Sequence, residues 1–145
     1  MTHPAPRSIR NACSVLWGNP GARWLLLAAG VCTAGTWIAV LAIPRIPGVD
    51  TVVTHYSTTF GIDALGSWRQ LLRLPSMATV LMVMNMSIAI ACMRGARADT
   101  ISPAMLPPAA SAILVATALL SFIALVGALF LLRVNLHYLG GASAL

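Results

Sequence analysis

The stretch Ala109–Leu132, "AASAILVATALLSFIALVGALFLL", decides how the rest of the chain is read. It carries no charge, follows Pro107 and Pro108, and is closed by Arg133. A helix needs about 20 such residues to cross a bilayer's hydrocarbon, so this run is long enough. Two similar runs precede it. Trp24–Ile43 ends at Pro44, and Leu74–Met93 begins with Pro75 in its first turn, where a missing N–H costs nothing. The expected fold is an all-α integral membrane protein with three transmembrane helices.

Composition agrees. The 145 residues are 59% hydrophobic and 8% charged, with a mean hydropathy of +0.86, whereas soluble domains carry about 25% charged residues. All nine cations are arginine, and Asp50, Asp63 and Asp99 are the only acids. The net charge of +6 does not point to nucleic acid: the arginines flank apolar runs rather than cluster, as expected for contacts with lipid head groups. Cys13, Cys32 and Cys92 form no C-x-x-C pair, which excludes a disulfide framework or zinc site of the usual spacing.

The expected organisation is an N-terminal segment (1–23), span one (24–43), an outer loop (44–73), span two (74–93), an inner loop (94–108), span three (109–132) and a tail (133–145). The first run exceeds a cleavable leader's apolar stretch of roughly 7–15 residues, and Val31 before Cys32 is too large for a lipoprotein cleavage site, so a retained anchor is expected. "WGNPGARW" places a turn at Asn19-Pro20-Gly21 between two interfacial tryptophans. Arg7, Arg10, Arg23, Arg94 and Arg97 lie on one side of this scheme, and Arg45, Arg69, Arg73 and Arg133 on the other. With two aspartates offsetting the second group, the positive-inside bias puts the N-terminus in the cytoplasm and the C-terminus outside a bacterial inner membrane.

Small residues mark where helices touch in lipid. A 4-3 spacing links Ala28, Cys32, Gly35, Ala39 and Ala42 in span one, and Ala78, Met82, Asn85, Ala89 and Cys92 in span two. Thr117, Ser121, Ala124 and Ala128 continue it in span three, the pattern of a left-handed bundle. Asn85 is the one strongly polar side chain near a midplane. Thr36, Thr117 or Ser121 is expected to pair with it as a helix clamp, in preference to a substrate or ion contact. The span-two methionines point in several directions and are read as adaptable packing.

The outer loop, at about 30 residues, exceeds a simple connection. "TVVTHYSTTF" is β-branched and aromatic and should be extended. Gly61 should break it, and Asp63 should cap an interfacial amphipathic helix at about 63–73, with Leu65, Trp68, Leu71 and Leu72 on one side. The pattern His55-Tyr56, Phe60-Gly61-Ile62-Asp63, Gly66 and Trp68 resembles that of small uncharacterised bacterial three-helix membrane proteins, whose loop reads H-Y-N, F-G-I-D, G-x-W before a span containing asparagine. Ser57 stands where that pattern has asparagine. The His55–Asp63 spacing is also similar to the first loop of the SdpI-like family, which implies immunity or signalling as an alternative function.

The chain offers neither paired carboxylates nor a nucleophile with an evident base, so no enzyme and no small-molecule substrate are expected. His55 and Asp63 are read as holding the loop's shape, with Tyr56, Phe60 and Trp68 at the interface. His55, Asp63 and His137 could instead converge on a metal, or His55 or His137 could ligate haem or a chlorophyll magnesium. No cofactor is the favoured expectation. The expected function is a non-catalytic accessory subunit of a larger membrane complex, such as a respiratory or photosynthetic electron-transport assembly, with other subunits and lipid as partners.

Overall fold

The computed structural model describes residues 8–45, 51–57, 59, 61–95 and 106–142, with backbone alone at 63 and 139–142. Among these residues, four α-helices and one hairpin follow in chain order: α1 (Ile9–Gly18), α2 (Pro20–Ala42), β1 (Val52–Ser57), β2 (Gly61–Gly66), α3 (Arg73–Gly95) and α4 (Pro108–Ala142). Three stretches, Pro20–Arg45, Trp68–Gly95 and Pro108–Tyr138, are long and apolar enough to cross a membrane. The chain is therefore mostly helical, but a small sheet corrects the all-α expectation.

Local capping chemistry accounts for the N-terminal elements. The Ser8 side chain accepts from the Asn11 N–H and starts α1. Asn19 then serves two helices at once. Its N–H donates to the Val15 carbonyl to close α1, and its Oδ1 accepts from the Ala22 N–H at 3.0 Å to open α2, with Pro20 in the first turn. The chain bends at Asn19, within the turn expected at 19–21, and the segment before it is a helix folded back on the bundle. Ala12 and Leu16 of α1 are buried with Ala22, Ala89, Met93, Ala110 and Leu114 in one apolar cluster.

A second cluster lies at the opposite end, formed by Ala39, Val40, Ile43, Val52, Leu71 and Ala128. Between the two ends, hydroxyls line the helix contacts. Thr36 donates to the Cys32 carbonyl and Thr117 to the Ile113 carbonyl, so both are satisfied within their own helices. Thr33 Oγ lies 3.4 Å from Ser121 Oγ and 3.6 Å from Met82 Sδ, so its single proton can serve either neighbouring helix. Trp37 Nε1 donates to Thr79 Oγ at 3.0 Å, tying α2 to α3.

The small-residue seams of spans two and three coincide with the contacts: Ala78 and Ala89 are buried on α3, and Thr117, Ser121 and Ala128 on α4. The seam of span one is displaced. Ala22, Ala29, Thr33, Thr36 and Val40 are buried, Ala28 is exposed, and of the expected set only Ala39 is buried. An alanine- and glycine-rich helix offers several 4-3 rows, and the shapes of α3 and α4 choose among them.

The loop between α2 and α3 departs furthest from expectation. Its first part is extended as expected, but the second forms an antiparallel partner strand, with Val52 opposite Gly66 and Ser57 opposite Gly61. The amphipathic helix expected over 63–73 is thus a strand to Gly66 followed by a 3-10 helix, Trp68–Leu72, that leads into α3. Ser67, not Asp63, caps it. Trp68, Leu71 and Leu72 do share an apolar side, which packs on the bundle's second cluster, while Leu65 is exposed on β2.

An isolated two-stranded hairpin is marginal in water. This one gains from docking, since Val52 and Val53 are 1% and 0% exposed. Gly61 has φ +74°, where a Cβ is disfavoured, although nothing lies within 4 Å of one placed there. Gly61→Ala is therefore expected to destabilise the hairpin by about 1–2 kcal/mol through backbone strain alone. Limited proteolysis of the detergent-solubilised protein should show faster cleavage between β1 and β2, with the helical far-UV signal unchanged.

Candidate functional site

Two of the hairpin's chemistry-bearing side chains, His55 and Tyr56, are described and occupy neighbouring positions on β1. His55 is exposed on β1, opposite Ala64, while Tyr56 is opposite Ile62. Asp63 lies on β2 between those two partners, but its side chain, like all of Phe60, is outside the described residues. The register is irregular on both sides of His55, a bulge-like break that changes the direction of the strand.

Tyr56 instead meets α4. Its ring packs edge-on against Phe130, with centroids 5.4 Å apart and planes at 72°. Together with Ile62, Arg133, Val134, Leu136, His137 and Tyr138 they line an open groove of about 680 Å³ between the hairpin and the last turns of α4. His137 is thus at the groove, and His55 is not among the lining side chains. Among the described residues, no three histidines, cysteines or carboxylates come together. Chemically, the groove presents the donors of Arg133 and His137 above apolar and aromatic walls.

The wall on the α4 side exists because the helix does not end where its apolar run does. Beyond Arg133 it continues to Ala142, where a tail is expected from sequence. Asn135, 0% exposed, fastens the hairpin to this extension. Its Oδ1 accepts from the Val53 N–H at 2.8 Å, and its Nδ2 donates to the Val53 carbonyl at 3.1 Å and to the Leu131 carbonyl at 2.8 Å. The amide pairs with both backbone groups of Val53 as a neighbouring strand would. Sequence reasoning missed this residue, although a signal exists: continuing the 4-3 row Thr117, Ser121, Ala124, Ala128 arrives at Leu131 and Asn135.

Asn85 behaves differently from the clamp expected of it. Ser121 faces Thr33, and Thr36 and Thr117 bond their own helices, so none of the three pairs with it. Half-buried, it lines a cleft of about 210 Å³ between α3 and α4 with Met77, Met82, Leu120 and Ser121. Its side chain has no hydrogen-bond partner among the described residues.

Compared with protein-family models, curated proteins and solved structures, the chain matches none.

Proposed function

We propose that the chain is a non-catalytic accessory subunit of a larger membrane complex, spanning a bacterial inner membrane three times with its N-terminus in the cytoplasm. The observation that carries this reading is Asn85. It sits near the centre of α3, in a cleft open on the α3–α4 side, with an amide that nothing in the described chain satisfies. Hydrocarbon offers an amide no hydrogen bond, so burial there is unfavourable until another helix supplies a partner. Helix α3 is also the least covered span, with 11% of its most apolar window buried against 33% for the first. A respiratory or photosynthetic electron-transport assembly is one such complex, to be identified by the chains that co-purify.

Native mass spectrometry of the tagged protein, extracted from its own membranes in mild detergent, tests the proposal. The expected species is an assembly well above 15.2 kDa that contains other chains. A free 15.2 kDa chain would overturn the subunit reading and favour a stand-alone protein. Asn85→Leu should lower the recovered partners about threefold to tenfold, as for the loss of one interhelical hydrogen bond, with the amount of chain itself unchanged.

A further inference from the structure

We propose that the groove between the hairpin and the last turns of α4 binds an anionic phospholipid, with Arg133 and His137 holding its phosphate and Tyr56, Phe130 and Leu136 flanking its acyl chains. The proposal rests on membrane placement and is independent of the accessory-subunit reading.

Four observations converge on it. Residues 108–132 of α4 are uncharged and Arg133 is the first charge after them, so the groove stands where apolar helix gives way to polar surroundings. The helix has 35 residues, a length of about 52 Å against about 30 Å of hydrocarbon, so its last turns reach head-group depth. Arg133 and His137 are four residues apart and share a helix face. Neither has a hydrogen bond or ion pair among the described residues, so the guanidinium fork and the imidazole N–H are free to donate to phosphate oxygens.

The remaining walls suit chains rather than a small ion. Ile62, Phe130, Val134 and Leu136 are apolar, and Tyr56 and Tyr138 add amphipathic rings of the kind that suit a boundary between apolar and polar surroundings. About 680 Å³ lies within the usual range for a ligand site, and is more than one phosphate fills. The Asn135–Val53 bonds hold the two walls in place before any ligand arrives. Charge selects the lipid: Arg45, Arg69, Arg73 and Arg133 outnumber Asp50 and Asp63 on the groove's side of the membrane, and a net-anionic head group gains from that excess where a zwitterionic one does not.

The full chain, delipidated in detergent, is offered equal amounts of phosphatidylglycerol and phosphatidylcholine with matched acyl chains, and retained lipid is counted by native mass spectrometry. Phosphatidylglycerol should be retained preferentially. Arg133→Gln should weaken its retention about tenfold, as for the loss of a charge-assisted hydrogen bond. Arg133→Lys should retain most of it, and Arg23→Gln, an exposed site at the far end of α2, should change nothing. Millimolar inorganic phosphate should not displace the lipid. Equal retention of the two lipids, a folded Arg133→Gln chain that binds as wild type does, or displacement by inorganic phosphate would each overturn the proposal.

Discussion

Asn135→Leu is expected to lower stability by about 2–6 kcal/mol, since it leaves the buried N–H and carbonyl of Val53 without their partner at roughly 1–3 kcal/mol each. Leucine has as many side-chain heavy atoms as asparagine and is bulkier, so the loss of hydrogen bonding is not accompanied by a cavity. Asn135→Asp separates the two halves of the interaction: a carboxylate still accepts from the Val53 N–H, but it faces the Val53 carbonyl with no proton to give. It should therefore destabilise about as much as leucine. Asn135→Gln keeps both functions on a longer stem and should recover part of the loss. Thermal unfolding in detergent measures all three, and proteolysis between β1 and β2 reports whether the hairpin is what comes loose. If Asn135→Leu unfolds within 0.5 kcal/mol of wild type, about the scatter of neutral surface changes, the amide does not hold the hairpin.

Gly35→Leu is expected to cost about 1–3 kcal/mol or more, because it overpacks the α2–α4 contact. A Cβ at Gly35 would already lie 2.9 Å from Leu125 Cδ1, and the rest of a leucine would have to displace that side chain or separate the helices. The smaller change is the informative control. For Gly35→Ala the obstacle is the tip of one flexible side chain, and alanine gains about 1 kcal/mol of helix propensity over glycine. The two effects nearly cancel, so Gly35→Ala should be close to neutral while Gly35→Leu is not. Unfolding titrations on both variants test this. A large loss in the alanine variant would mean that Leu125 cannot yield.

The three helices long and apolar enough to span a membrane could be read in advance because they depend on local quantities: uninterrupted apolar residues, proline at helix starts and arginine near the ends. The seams of α3 and α4 were legible for a related reason. Small residues occur there in one dominant 4-3 row, so Ala78, Ala89, Thr117, Ser121 and Ala128 could be assigned from spacing. In α2 several rows compete, and the row containing Thr33, Thr36 and Val40 is buried because of what faces it. The apolar side formed by Trp68, Leu71 and Leu72 was also legible, even though the type and start of that helix were not.

The candidate groove was only partly visible. Tyr56 and His137 stand out by residue type, but nothing local brings them together across some 80 positions. Asn135 looked like a polar residue in a tail, because Arg133 ends the apolar run and the continuing helix shows only through the spacing.

By itself, then, the sequence determined three helices long and apolar enough to span a membrane, and an extended β1, since a run of apolar or β-branched residues limits backbone and solvent together. Tertiary structure alone decided the rest. "GIDALG" becomes a strand because β1 satisfies its backbone. The hairpin stays in place because the Asn135 amide pairs with Val53, and the groove exists because α4 outlasts its own apolar run. Each of these outcomes depends on a partner far away in the chain, and a hydrogen bond or a packed face has no free energy until that partner is present.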